Sequence, residues 1–274
     1  VHANSIEKRY EPLDGDLIEQ IIKSIPNPIE ITSLMKKSGV TYDRSRLNDY
    51  QKSDNYATNF KKALNLGVYG TDLGFANIYG KTQDAIHYLD AVQDLAKGLA
   101  IDQFFEYSVL KELAEKDNLS QLIQKTIKNF EQINDHLHEE KRDVISALLL
   151  TGGWVESTYL TAQVYKQSGG KPDVQASLKE KIGEQKLVLE RLMLLLDIYS
   201  SKPQVPELIA SLQKIQNIYE DVEIVTIGDG VTIKENADGT IEFIDNATGY
   251  IKISDAQVNQ ISILISQVRG DITQ

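Results

Sequence analysis

The stretch Leu178-Lys-Glu-Lys-Ile-Gly-Glu-Gln-Lys-Leu-Val-Leu-Glu-Arg-Leu-Met-Leu-Leu-Leu-Asp-Ile-Tyr199 decides the fold class. Within it Leu178, Ile182, Gln185, Leu189, Leu192, Leu196 and Tyr199 recur in alternating steps of four and three. That spacing lines side chains along one seam of a helix and suits a neighbour lying alongside at a shallow crossing angle. Leu119, Ile123, Thr126, Phe130, Ile133 and Leu137 repeat the pattern in an earlier segment. Each run lasts only a few heptads and the connections are short, so an antiparallel bundle fits better than a long free coiled coil.

Working outward from these seams, helical spacing extends over most of the chain. Residues 1–13 are polar and unpatterned and read as an extended arm. Leu17, Ile18, Ile21, Ile22 and Ile25 then repeat at helix spacing until Pro26 and Pro28, and a short helix runs from Ile29 to Lys37 before Gly39. Residues 40–53 read as a loop with a helical turn. Longer helices are predicted near 54–79, 82–99, 102–116, 119–138, 140–167, 174–200 and 204–219, separated by Asp117-Asn118, Gly169-Gly170-Lys171-Pro172 and Lys202-Pro203.

Residues 222–253 lose the helical period. Val231–Lys234, Thr240–Ile244 and Tyr250–Ile253 are β-branched or alternating, with turn chemistry at Asn236–Gly239 and Asn246–Gly249. A final amphipathic helix, capped by Ser254 or Asp255, presents Val258, Ile261, Ile265 and Val268 on one face. The expected architecture is mainly α: an antiparallel multi-helix bundle of about nine helices over 14–221, with a small three-stranded β-meander and C-terminal helix over 222–274 packed on it.

Composition narrows the function classes. The 274-residue chain is 41% hydrophobic and 25% charged, ordinary values for a globular protein. Its net charge of −11 and the lack of a basic stripe argue against a nucleic-acid partner and against docking on anionic lipid. With no cysteine there is no disulfide, thiol nucleophile or thiolate-held metal. Apolar runs such as Leu192–Leu196 are too short to span a bilayer. The start at Val1 is compatible with a removed signal peptide and equally with trimming.

Two acidic residues stand where helices should be apolar. Asp72 lies in Leu64-Asn-Leu-Gly-Val-Tyr-Gly-Thr-Asp-Leu-Gly-Phe-Ala-Asn-Ile-Tyr79, and Glu156 in Ala147-Leu-Leu-Leu-Thr-Gly-Gly-Trp-Val-Glu-Ser-Thr-Tyr-Leu160. At about 100° per residue, Val68, Tyr69, Phe75, Ala76 and Tyr79 fall within a quarter turn of Asp72. Glu156 is flanked by Ile145, Leu149, Gly152 and Tyr159. A carboxylate on a core-facing stripe costs free energy unless it is paired. One reading is a ligand site in which Asp72 and Glu156 are polar anchors with raised pKa and Tyr69, Phe75, Trp154 and Tyr159 are the walls. A second is that each acid is satisfied internally by a tyrosine, a lysine or a backbone amide; a third is that the stripe faces a solvent groove.

A shift of 84 positions aligns Ala63 with Ala147, Leu64 with Leu148, Leu66 with Leu150, Asp72 with Glu156 and Phe75 with Tyr159. A weak duplication of 63–80 as 147–164 would place the acids at a shared centre. Glycines 67, 70, 74 and 80 each cost about 1 kcal/mol inside a helix, so they imply close packing of a neighbour or a break that lines a ligand.

Other candidate chemistry is sparser. His87, Asp90 and Asp94 share a helix face and could ligate a metal, or simply be solvated. His136 and His138 point about 200° apart on a helix and cannot grip one ion. Gly228-Asp-Gly230 and Asp238-Gly239 lack the ligand spacing of an EF-hand loop. No zincin motif, phosphate-cradling loop, nucleophile elbow or dinucleotide fingerprint occurs, and no cofactor is implied.

Gly152-Gly-Trp-Val-Glu-Ser-Thr-Tyr-Leu160, and the closing phrase from Tyr250-Ile-Lys-Ile-Ser-Asp-Ala-Gln-Val-Asn-Gln-Ile to Val268-Arg269, resemble uncharacterised secreted or lipid-anchored helical proteins of Bacteroidetes-type bacteria. The resemblance covers about a fifth of the chain. It implies export to the periplasm or cell surface, signal-peptide removal, and a lipoprotein anchor that would have to lie upstream of Val1. The bundle is also similar to imelysin-like periplasmic proteins, although Gly153-Trp-Val-Glu156 lacks the histidine of their Gly-x-His-x-x-Glu motif. Together these features lead to the expectation of an exported, non-enzymatic binding or scaffold protein for a small molecule or a protein. The alternative is a periplasmic metal-binding protein or hydrolase using the Asp72 and Glu156 carboxylates.

Overall fold

A computed structural model describes residues 36, 39–116, 118–169, 171–227, 231–235, 241–245 and 248–274. The expected arm over 1–13, the helices over 14–25 and 29–37, Gly228–Gly230 and the turns at 236–239 and 246–247 lie wholly or mostly outside them.

The described chain is mainly helical. Its helices are α1 (Asn59–Ile78), α2 (Thr82–Gly98), α3 (Tyr107–Glu115), α4 (Leu119–Glu139), α5 (Asp143–Gln167), α6 (Pro172–Ile198), α7 (Val205–Glu220) and α8 (Asp255–Ile272). Short 3-10 turns occur at Arg44–Arg46, Tyr50–Asn55 and Asp102–Phe104. None of these helices is long and apolar enough to cross a membrane.

Local chemistry sets several boundaries differently from the periodicity. The helix expected from 54 begins at Asn59, because the Thr58 side chain accepts the Lys61 N–H and caps it there. Residues 50–55 form instead a 3-10 turn capped by Asp49. At the far end Gly80 takes a left-handed φ of 65°, which favours glycine and stops α1. The helix expected over 102–116 is split into a 3-10 turn and α3. Ser254 and Gln257 form a reciprocal capping box at the start of α8.

The heptad seams are buried as expected. On α6, Leu178, Ile182, Gln185, Leu189, Leu192 and Leu196 all face the core, and on α4 so do Thr126, Ile133 and Leu137. At the centre of the molecule, however, α1 and α5 form the most extensive contact, and they run in the same direction. Gly67 meets Leu149 and Gly153, Thr71 reaches Gly153, and Asp72 meets Glu156, so residue numbers rise together along the two rods. Parallel helices need a long return, and α2, α3 and α4 supply it. The expectation of purely antiparallel neighbours therefore does not describe this pair.

Two glycines make that contact. A Cβ on Gly67 would lie 2.0 Å from the Leu149 carbonyl oxygen, and one on Gly152 would lie 1.9 Å from that of Leu64. Backbone touches backbone, so both positions require hydrogen in place of a side chain. The contact is reciprocal, Leu64 and Gly67 on one rod answering Leu149 and Gly152 on the other, one residue out of step with the alignment of Leu64 on Leu148. Gly70, one turn along, is covered by the Phe130 ring. Close packing, rather than a break in the helix, accounts for Gly67 and Gly70.

Among the described residues the expected three-stranded meander is not formed. The strands β1 (Glu223–Ile227), β2 (Val231–Glu235), β3 (Ile241–Asp245) and β4 (Thr248–Lys252) make two separate two-stranded antiparallel ladders, β1 with β4 and β2 with β3. Among the described residues β4 pairs with β1 and not with β3, Ile224 opposite Ile251. This ladder sits on the bundle where Gly183 leaves room for Ile251 and Ile253, and Val222 and Ile253 are buried.

Candidate functional site

The close approach of α1 and α5 sets the geometry of the two acids. Asp72 and Glu156 each lie about one helical turn beyond the glycine contact, and both are 0% exposed. They are drawn together, with the Asp72 carboxyl within hydrogen-bond reach of Glu156.

A third charge comes from the C-terminal helix. Arg269 donates from Nε to Glu156 Oε2 at 2.6 Å and from Nη2 to Oε1 at 2.9 Å, a bidentate pair. The same Nη2 donates to the Arg46 carbonyl at 3.1 Å, and the guanidinium lies 4.3 Å from the centre of the Tyr159 ring. The Arg269 side chain is 15% exposed, so the pair is largely shielded from water.

Asp72 is served differently. Its Oδ2 accepts the Asn48 backbone N–H at 3.0 Å, while Oδ1 has no donor among the described residues. Two carboxylates facing one guanidinium leave one excess negative charge buried away from bulk solvent. Burial first, and then the charge of Glu156, push the Asp72 carboxyl well above the usual carboxylate range, with Arg269 opposing. Arg269 is held firmly in its charged form: burial works against it, and the Glu156 and Asp72 carboxyls outweigh burial.

Residues 40–56 run over the pair as a strap, tied down largely by tyrosines. Tyr69 donates its hydroxyl to the Asp49 carbonyl and Tyr88 to that of Asn48, both at 2.8 Å, and Tyr79 donates to Val40 at 2.9 Å. The Asn48 amide donates to the Tyr56 hydroxyl at 3.0 Å. Arg46, itself nearly buried, donates to the Gln167 side chain at the end of α5. Tyr42 is fixed to Asp84 of α2 at 2.7 Å.

The sequence-predicted residues fall into three groups. Asp72 and Glu156 meet, with Tyr69 holding the strap above them and Tyr159 stacking on their arginine. Phe75 belongs to an adjoining aromatic group, its ring 4.8 Å from Tyr79 and 5.8 Å from Tyr42. Trp154 is buried, and its indole N–H finds no partner among the described residues. As for a metal, no three or more His, Asp or Glu side chains are grouped to hold an ion among the described residues. The His87 ring stacks on Tyr50 at 4.6 Å, and Asp90 and Asp94 remain on the α2 surface beside it without closing a ligand set. His138 pairs with Asp143 at 2.7 Å and His136 with Glu140 at 3.4 Å, two separate contacts.

Arg269 and Asn48 were not assigned a role from sequence. Arg269 had a readable signal. It follows Ile265 by one helical turn and adjoins Val268, so it stands beside the apolar face of α8 as a cation matching the misplaced acids. Asn48 contributes through its backbone, which no side-chain pattern reveals.

Comparison with family models, with curated proteins and with solved structures finds no match for this chain.

Proposed function

We propose that this protein is an exported, non-enzymatic helical binding or scaffold protein in which the acid pair organises the bundle instead of acting on a substrate. The observation that carries this reading is the complete enclosure of Asp72 and Glu156 with Arg269 bound to both Glu156 oxygens. A hydrolytic or ion-binding carboxylate must reach substrate, water or metal through an open face. Among the described residues, the groups around the acids are an arginine from α8, the Asn48 amide and the helix tyrosines that hold the strap. Such a centre joins α1, α5, α8 and the strap, four parts of the chain distant in sequence, into one body. A small-molecule or protein ligand would meet the chain elsewhere on its surface. Export to the periplasm or cell surface is supported by the likeness of Gly152–Leu160 and the closing phrase to secreted proteins.

Thermal melts with saturating magnesium, calcium, manganese or zinc separate this reading from a metal-dependent one. Binding to the native state alone raises the melting temperature by mass action. The wild-type transition is expected to stay in place with each ion. An upward shift that disappears in Asp72→Asn or Glu156→Gln would overturn the reading and favour a metal-binding protein or hydrolase built on these carboxylates.

A further inference from the structure

We propose that Asp72 and Glu156 hold a single proton between them, and that this proton latches the 40–56 strap over the bundle. Three features of the buried pair lead there. The carboxyls are within hydrogen-bond reach, yet both are acceptors when ionised, so only a proton turns the contact into a bond. Asp72 Oδ1 is fully buried and lacks any other donor among the described residues. One guanidinium neutralises one carboxylate, and Arg269 is committed in bidentate fashion to Glu156. Asp72 is therefore the carboxylic acid of the pair and Glu156 the anion, the arrangement expected when two buried acids share a site.

The strap is the element this proton controls. The Asn48 N–H rests on Asp72 Oδ2, and the Arg46 carbonyl rests on Arg269, so two of the strap's anchors touch the charged centre. Ionising Asp72 places a second anion against Glu156 without water. The relief available is for the strap to lift and admit solvent. The other groups facing Asp72 do not compete in this range. Tyr69 on α1, Tyr88 on α2, Tyr159 on α5 and Tyr42 on the strap are all pushed upward by burial and remain neutral, while Arg269 on α8 remains cationic.

The sign follows from linkage. With the strap closed Asp72 binds its proton more tightly than with the strap open, where its pKa returns to the ordinary value of an exposed carboxyl. Closure is favoured fully below that value. Above it, opening releases a proton, and the opening equilibrium rises about tenfold per pH unit until the closed-state pKa is passed. The device closes in acid and loosens toward alkaline pH. It operates whether or not a surface ligand exists, and its readout is separate from the metal melts.

Hydrogen exchange tests it on the full chain. After correction for intrinsic exchange, protection of amides in 40–56, above all Asn48 N–H, is expected to fall about tenfold per pH unit over the rising part of the titration. In Asp72→Asn the amide mimics the protonated acid, donating to Glu156 and accepting from Asn48, so protection should be independent of pH. Glu156→Gln removes the second charge and should be equally flat. A carbon-13 titration of labelled wild type gives the answer without any variant: the Asp72 carboxyl should titrate well above the ordinary carboxylate range. An Asp72 signal that titrates near the ordinary value, or strap protection with the same pH dependence in wild type and Asp72→Asn, would overturn the proposal.

Discussion

Replacing Arg269 with Met is expected to destabilise the protein by about 3–5 kcal/mol at neutral pH, the cost of leaving buried charge without its partner. The methionine keeps much of the stem packing of the arginine, so the loss reports the charge and its hydrogen bonds. Glu156 would lose both donors, the Arg46 carbonyl would lose its partner, and Tyr159 its stacked cation. Chemical denaturation at fixed pH measures the loss. The same experiment at lower pH carries a signed check. Without the guanidinium, neutralising the carboxylates relieves the repulsion, so the native variant binds protons more tightly than its unfolded chain. Its deficit relative to wild type should shrink as pH falls from 7 toward 4 and grow on the return. A deficit independent of pH would mean that Arg269 acts only through packing.

Replacing Gly152 with Ala is expected to cost about 3 kcal/mol or more, at or beyond the upper end of what overpacking inside a core usually costs. The added methyl would sit 1.9 Å from the Leu64 carbonyl oxygen and 2.7 Å from its carbon. No rotamer change removes that clash, because the obstacle is backbone. The helices must separate by more than an ångström, and separation pulls Asp72 away from Glu156. Gly67→Ala, 2.0 Å from the Leu149 oxygen, should behave alike. Gly270→Ala in α8 provides the control. Its Cβ meets nothing within 4 Å, so the change should be neutral or stabilising by up to about 1 kcal/mol through helix propensity. Comparable losses at Gly152 and Gly270 would argue against a backbone contact between α1 and α5.

These two substitutions also mark where sequence was informative. The heptads at Leu178–Tyr199 reported buried seams directly, because helix periodicity is a local property that burial enforces. Asp72 and Glu156 stood out for the same reason, as charges on stripes that had to face inward. Gly67 and Gly70 signalled close packing or a break in the helix, but not that α5 is the helix against Gly67 or that it runs in parallel. That pairing depends on how α2 to α4 return the chain. Strand β1 went unread because its partner β4 lies beyond the whole β2–β3 hairpin, whereas turn residues at 236–239 and 246–249 speak only for neighbouring strands. Asn48 was invisible since its amide, not its side chain, meets Asp72.

A double-mutant cycle between Glu156→Gln and Arg269→Met tests most directly whether the buried acids are held by the arginine from α8. Residues joined in one ion-pair network couple by about 0.5–3 kcal/mol, whereas independent sites add. The account predicts coupling in the upper part of that range, with the double variant more stable than Arg269→Met alone because no uncompensated carboxylate from Glu156 remains. Strict additivity, with the double variant weaker than either single one by the full sum, would contradict it.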